Sequence, residues 1–129
     1  MRKAKGAGAS PWTIDAYESD RGDTPAWSFI RSLSGRDKVE AIALVKLLEE
    51  QGNLVRRPQS GALGDGLFEL RGKQIRLFYV FLPGHVIVLL DGEIKKRDEM
   101  PRRTMERMKE LQAEVVGRGA ARRGRGASG

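Results

Sequence analysis

Residues 66–82 read Gly66-Leu67-Phe68-Glu69-Leu70-Arg71-Gly72-Lys73-Gln74-Ile75-Arg76-Leu77-Phe78-Tyr79-Val80-Phe81-Leu82. Their apolar residues alternate with a period of two, so Leu67–Arg71 and Ile75–Leu82 are expected strands. The connection Gly72-Lys73-Gln74 is too short for a crossover, which makes the two strands antiparallel neighbours. A third strand is expected from His85 to about Lys95, after the turn Pro83-Gly84. These core-like strands carry cations: Arg71, Arg76 and, at the end of the third, Lys95-Lys96. An unpaired ion is costly to desolvate, so strand cations need a partner charge or an open face. The biological anion that calls for several such groups together is a phosphodiester.

Working outward, Trp12 to Tyr17 alternates as a short first strand. Thr24 followed by Pro25 is a helix start, a hydroxyl cap and then proline at the first helical position. Trp27, Ile30 and Leu33 share one side of that helix, which ends near Gly35. A second helix from Arg36 to Gln51 stops at Gly52, with Ala41, Leu44, Val45 and Leu48 at helical spacing. Pro58 to Gly66 reads as a loop. Pro101 opens a final helix with Met105, Met108, Leu111 and Val115 along one side. The expected class is α+β, an N-terminal strand and helical hairpin packed on a small antiparallel sheet, with a C-terminal helix.

The chain has 129 residues and a net charge of +7, enough for one domain. Seven of its 24 Lys and Arg side chains lie in the Gly/Ala/Ser-rich ends, which leaves 17 against 17 acids between residues 11 and 116. The ends, 1–11 and 117–129, are therefore expected to be basic disordered tails around a domain at 12–116. The domain is neutral but polar, because residues 70–109 hold ten bases and five acids. There is no cysteine, hence no thiolate metal site, and no apolar run of membrane-spanning length. The N-terminal basic residues lead into no hydrophobic signal core, so a cytoplasmic protein without cofactor or membrane partner is expected.

Strand geometry puts Glu69 with Arg71, and Arg76 with Phe78 and Val80, while Ile75, Leu77, Tyr79 and Phe81 take the opposite face. Two readings follow. Either the cations serve an anion, or Glu69 pairs with Arg71 or Arg76 and the set is structural.

The order Gly66-Leu67-Phe68-Glu69-Leu70-Arg71, Arg76 with Tyr79 three residues on, Val86-Ile87-Val88-Leu89-Leu90, Lys95-Lys96 and Pro101 resembles the HigB-like branch of the RelE/ParE toxin superfamily. The resemblance covers about residues 12–115. It implies a small RelE-like toxin of a toxin–antitoxin pair that cleaves mRNA, commonly on the ribosome, and is silenced by a helix-turn-helix antitoxin. DNA would be met only through that antitoxin complex. Carried over, the family's active-site cations match Arg71, Arg76, Lys95 and Lys96, with Tyr79 beside them. Lys73, Arg97, Arg102 and Arg103 are expected to contact RNA. The chain departs in having Ile94 where relatives carry an aromatic residue. It also reads Arg97-Asp98-Glu99-Met100 where they are rich in Lys and Thr.

The chemistry stands apart from the name. RNA supplies its own nucleophile, the 2′-hydroxyl, so preorganised cations at the phosphorane oxygens can take the place of a metal. Arg suits a bidentate phosphate contact and stays charged, and Lys can carry a proton. Adjacent strand residues point to opposite faces, so one of Lys95 and Lys96 is expected in the cleft. His85 reads as a turn residue. Trp12 and Trp27 read as packing residues. Two other functions share the fold, a ParE-like inhibitor of DNA gyrase and a relic that only binds its antitoxin.

Overall fold

A computed structural model of the chain describes residues 11–96 and 99–128. Arg97 and residues 1–10 of the N-terminal tail lie outside the described residues. In chain order the elements are β1 (Thr13–Ala16), α1 (Pro25–Ser32), α2 (Gly35–Gln51), a 3₁₀ turn (Gly52–Leu54), β2 (Ser60–Gly64), β3 (Leu67–Arg71), β4 (Ile75–Leu82), β5 (Val86–Ile94) and α3 (Arg102–Ser128). The sheet order is β1-β5-β4-β3-β2. β1 runs parallel to β5 and the other pairs are antiparallel. The expected α+β arrangement is present.

Two local expectations are corrected. Ser60–Gly64, read as loop, is an edge strand paired with β3; its two glycines hide the period-two signal. Thr24 occupies the N-cap position of α1 but makes no side-chain cap bond, so Pro25 sets the helix start. The last helix runs from Arg102 to Ser128. Ala and Arg are good helix formers and carry the helix past the interspersed glycines.

Both sheet faces are covered. Leu70, Ile75, Leu77, Tyr79, Ile87 and Leu89 pack under Ala26, Ile30 and Leu33 of the α1 region and Ala41, Leu44 and Leu48 of α2. On the other face Leu67, Phe78, Val80, Val88 and Leu90 meet Met108, Leu111 and Val115 of α3. Burying each large aliphatic side chain contributes roughly 1.5–3 kcal/mol, which ties the three helices to one sheet. Arg118, counted from the sequence among the tail charges, is bound to this body. Its guanidinium lies 5.2 Å from the Tyr17 ring centroid and donates to Glu114 at 3.1 Å and to the Glu18 carbonyl.

A register shift in β5 decides where the charges point. Phe78 pairs with Asp91 but Tyr79 with Leu89, so Leu90 is an extra residue. In a regular strand Asp91 and Glu93 would share the face of Ile87 and Leu89. The bulge moves both to the α3 face, where Glu93 stands opposite Arg76.

Candidate functional site

Four neighbouring backbone segments bring a chain of charged groups to one end of the α3 face. Glu69 on β3 accepts from Arg71 Nε through Oε2 at 3.0 Å, and its Oε1 lies 3.1 Å from Arg76 Nε on β4. Arg76 Nη1 donates to Glu93 Oε2 on β5 at 2.8 Å. Glu93 Oε1 accepts from the Thr104 hydroxyl on α3 at 3.1 Å. Arg107, one turn further along α3, pairs with Asp91. The chain Arg71–Glu69–Arg76–Glu93–Thr104 thus crosses three strands and reaches the first turn of the helix.

Burial grades along this chain. Arg76 is 5% exposed and Glu69 6%, whereas the Arg71 side chain is 40% exposed. Two carboxylates make the burial of Arg76 tolerable, since a buried ion must be paired. Gly61 on β2 provides room for Arg71, because a Cβ there would stand 2.5 Å from its Nη2. Lys95, just past β5, donates from Nζ to the Gly72 carbonyl at 2.9 Å. Glu69, Arg71, Arg76 and Lys95 line a cavity of about 200 Å³. Arg76 also borders a second cavity of about 650 Å³, which includes Lys96.

The sequence-derived set therefore divides. Arg71, Arg76 and Lys95 come together. Lys96 is exposed and lines the larger cavity at Arg76 rather than the smaller one. Tyr79 is not in the cleft, which corrects that expectation. It is 1% exposed, lies against the helical hairpin and shares a 2.7 Å hydrogen bond with Ser60. Residues three apart on a strand face opposite ways, so Arg76 and Tyr79 cannot share a site. Burial pushes the Tyr79 phenol above its ordinary value of 10.0, while the bond to Ser60 acts in the lowering direction. Arg102 and Arg103 are exposed in the first turn of α3, where no acid stands. Lys73 is exposed in the β3–β4 turn, its N–H bound to Glu40 at 2.8 Å.

The structural reading of Glu69 holds for both arginines at once, and the sequence reading missed Glu93 and Thr104. Glu93 was hidden by the bulge, which no composition or spacing announces. His85 is a turn residue, with φ of 67° and its ring stacked on Trp12 at 3.8 Å between centroids.

Residues 28–113 match the model of the family described as phage-derived Gp49-like proteins. The toxin–antitoxin complex RelBE2 from Mycobacterium tuberculosis aligns with a TM-score of 0.50 and 19% identity, over 66% of this chain and 99% of that one. The isolated RelE toxin of E. coli aligns with a TM-score of 0.48 and 15% identity, over 75% of this chain and 98% of that one. The former likeness shows a shared, RelE-like fold. No curated protein matches the sequence significantly.

Proposed function

The chain belongs to the Gp49-like family of phage-derived proteins, and from that premise we propose that it is the toxin of a toxin–antitoxin pair. Its proposed activity is metal-independent cleavage of ribosome-bound mRNA by attack of the RNA 2′-hydroxyl. The order of motifs favours a HigB-like type, with a helix-turn-helix antitoxin as partner. The observation that carries this reading is the 200 Å³ cavity, all of whose lining residues are charged.

On this reading Arg71, the most exposed of the cluster, meets the phosphate. Arg76, held between two carboxylates, fixes Glu69 and through it the position of Arg71. Such preorganised charge costs no reorganisation when the phosphorane forms. Lys95 spends one N–H on Gly72, which leaves two to donate toward the leaving 5′-oxygen. Glu69 and Glu93 are committed to guanidinium groups, which suits them to hold position rather than to take a proton. Lys73, Arg102 and Arg103 supply sequence-independent contacts to the flanking backbone; the same role falls to Arg97.

Induced expression of the chain should arrest growth, with new mRNA 5′ ends inside translated frames, and co-expression of the antitoxin should relieve both. Arrest with intact mRNA and accumulated gyrase–DNA breaks would assign the protein to the gyrase-inhibiting class. Good expression without arrest would mean a relic that only binds its antitoxin.

A further inference from the structure

The two cavities that meet at Arg76 differ in chemistry. The smaller is lined by charge alone. The larger, about 650 Å³, has Phe29, Ile94 and Pro101 as apolar walls, with Ser32, Lys96, Glu93 and Glu99 as its polar rim. Its volume falls in the range of small-ligand sites, and its apolar walls stand beside polar groups that can fix a ligand's orientation. A pocket lined by charge alone and a pocket with apolar walls and a polar rim meet at one guanidinium, which matches the two halves of a nucleotide.

The apolar pocket is built rather than incidental. Phe29 can lie over β5 only because residue 92 is glycine, since a Cβ there would come within 2.4 Å of its Cδ2. A strand glycine often marks such a close approach. Ile94 stays 50% exposed at the pocket wall, a large aliphatic left uncovered beside a charge cluster. Ser32 donates its hydroxyl to the Phe29 carbonyl at 2.6 Å, and its oxygen keeps lone pairs free to accept. Lys96, also in the lining, offers donors.

We propose that the Phe29–Ile94–Pro101 pocket is a nucleobase subsite, which seats the base adjoining the phosphate bound at Arg71 and Lys95. It rests on the proposed RNA-cleaving function and adds a second group of the substrate. Aromatic and aliphatic faces stack any base, while Ser32 and Lys96 read its edge. The occupant is a base rather than a protein segment because the pocket shares Arg76 with the anion cavity, and Lys96 and Glu99 offer the edge of a base a donor and an acceptor.

The test compares binding of inorganic phosphate, AMP and CMP to the full chain by NMR titration, in wild type, Ile94→Ala, Ser32→Ala and Arg71→Ala. Ile94 and Ser32 are exposed, so these variants keep the fold. AMP is expected to bind wild type at least tenfold tighter than phosphate, the gain of one stacked base. Ile94→Ala should lose most of that gain with phosphate binding unchanged, and Ser32→Ala should alter the AMP-to-CMP ratio. Phosphate binding with no added affinity for either nucleotide, or a gain untouched by Ile94→Ala, overturns the base subsite. Failure of phosphate to bind, or binding indifferent to Arg71→Ala, overturns the functional reading instead. Nucleotide binding that follows the expected pattern without mRNA cleavage supports the pocket and removes the nuclease.

Discussion

The two faces of the sheet alternate residue by residue along the same strands, yet they bury different chemistry. The face under α1 and α2 is apolar along its length, and among the described residues its buried polar pair is Ser60 with Tyr79. The α3 face is apolar only where Met108, Leu111 and Val115 cover it. At its end Glu69, Arg76 and Glu93 are ion-paired, the first two nearly inaccessible. A covered face needs only shape. A buried charged end needs every member of a connected set, because removal of one strands the others. The same strands thus hold a tolerant structural face and an intolerant polar one.

The comparison breaks most visibly at Arg76. Arg76→Ala leaves two carboxylates facing each other without their shared cation. It should destabilise the fold by about 3–5 kcal/mol, as for a buried pair that loses one partner. Urea denaturation reads this directly. A loss under 1 kcal/mol would mean that the carboxylates are solvated and the set is not a unit.

Arg71→Ala separates catalysis from stability. The side chain is 40% exposed, so the urea midpoint should barely move. Cleavage should fall by roughly two to three orders of magnitude, the usual cost of one preorganised donor. Unchanged cleavage per folded molecule would place the phosphate elsewhere.

Tyr79→Phe probes the apolar face. Loss of the bond to Ser60 should cost about 1 kcal/mol and leave activity intact. The raised phenol value also sets a pH window. The folded state holds this proton more tightly than the unfolded chain, whose ordinary value is 10.0. The contribution is therefore fully present below pH 10 and is lost as pH rises through the higher folded value. Wild type should lose this alkaline stability that Tyr79→Phe does not.

The smallest effect is expected at Arg118. Arg118→Ala removes a stack on Tyr17 and partly exposed polar contacts, worth up to about 1 kcal/mol. A chain trimmed after Val116 should therefore melt a few degrees lower. An unchanged melting temperature would support a domain that ends at 116.

Most of the fold was legible in residues 66–82 and in the spacing of the helical apolar residues, because burial on a sheet or helix imposes a period. The cation set was legible for the same reason: Arg71 and Arg76 interrupt that period. Three things were not. Ser60–Gly64 has glycine where a strand shows side chains. Glu93 reaches Arg76 only through the Leu90 bulge, a change of register with no compositional mark. Tyr79 came from a resemblance that strand parity contradicts, since an odd separation from Arg76 sends it into the core.

The central claim is that the charged end of the α3 face cleaves RNA with the RNA's own hydroxyl as nucleophile. It is tested most directly by the ends of mRNA cut on ribosomes by the purified chain in excess EDTA. Attack by the 2′-oxygen forms a bond to phosphorus and expels the 5′-oxygen, so the account predicts 2′,3′-cyclic phosphate and 5′-hydroxyl ends at an undiminished rate. Cleavage that stops in EDTA and leaves 5′-phosphate ends, or no cleavage by well-folded protein, would contradict it.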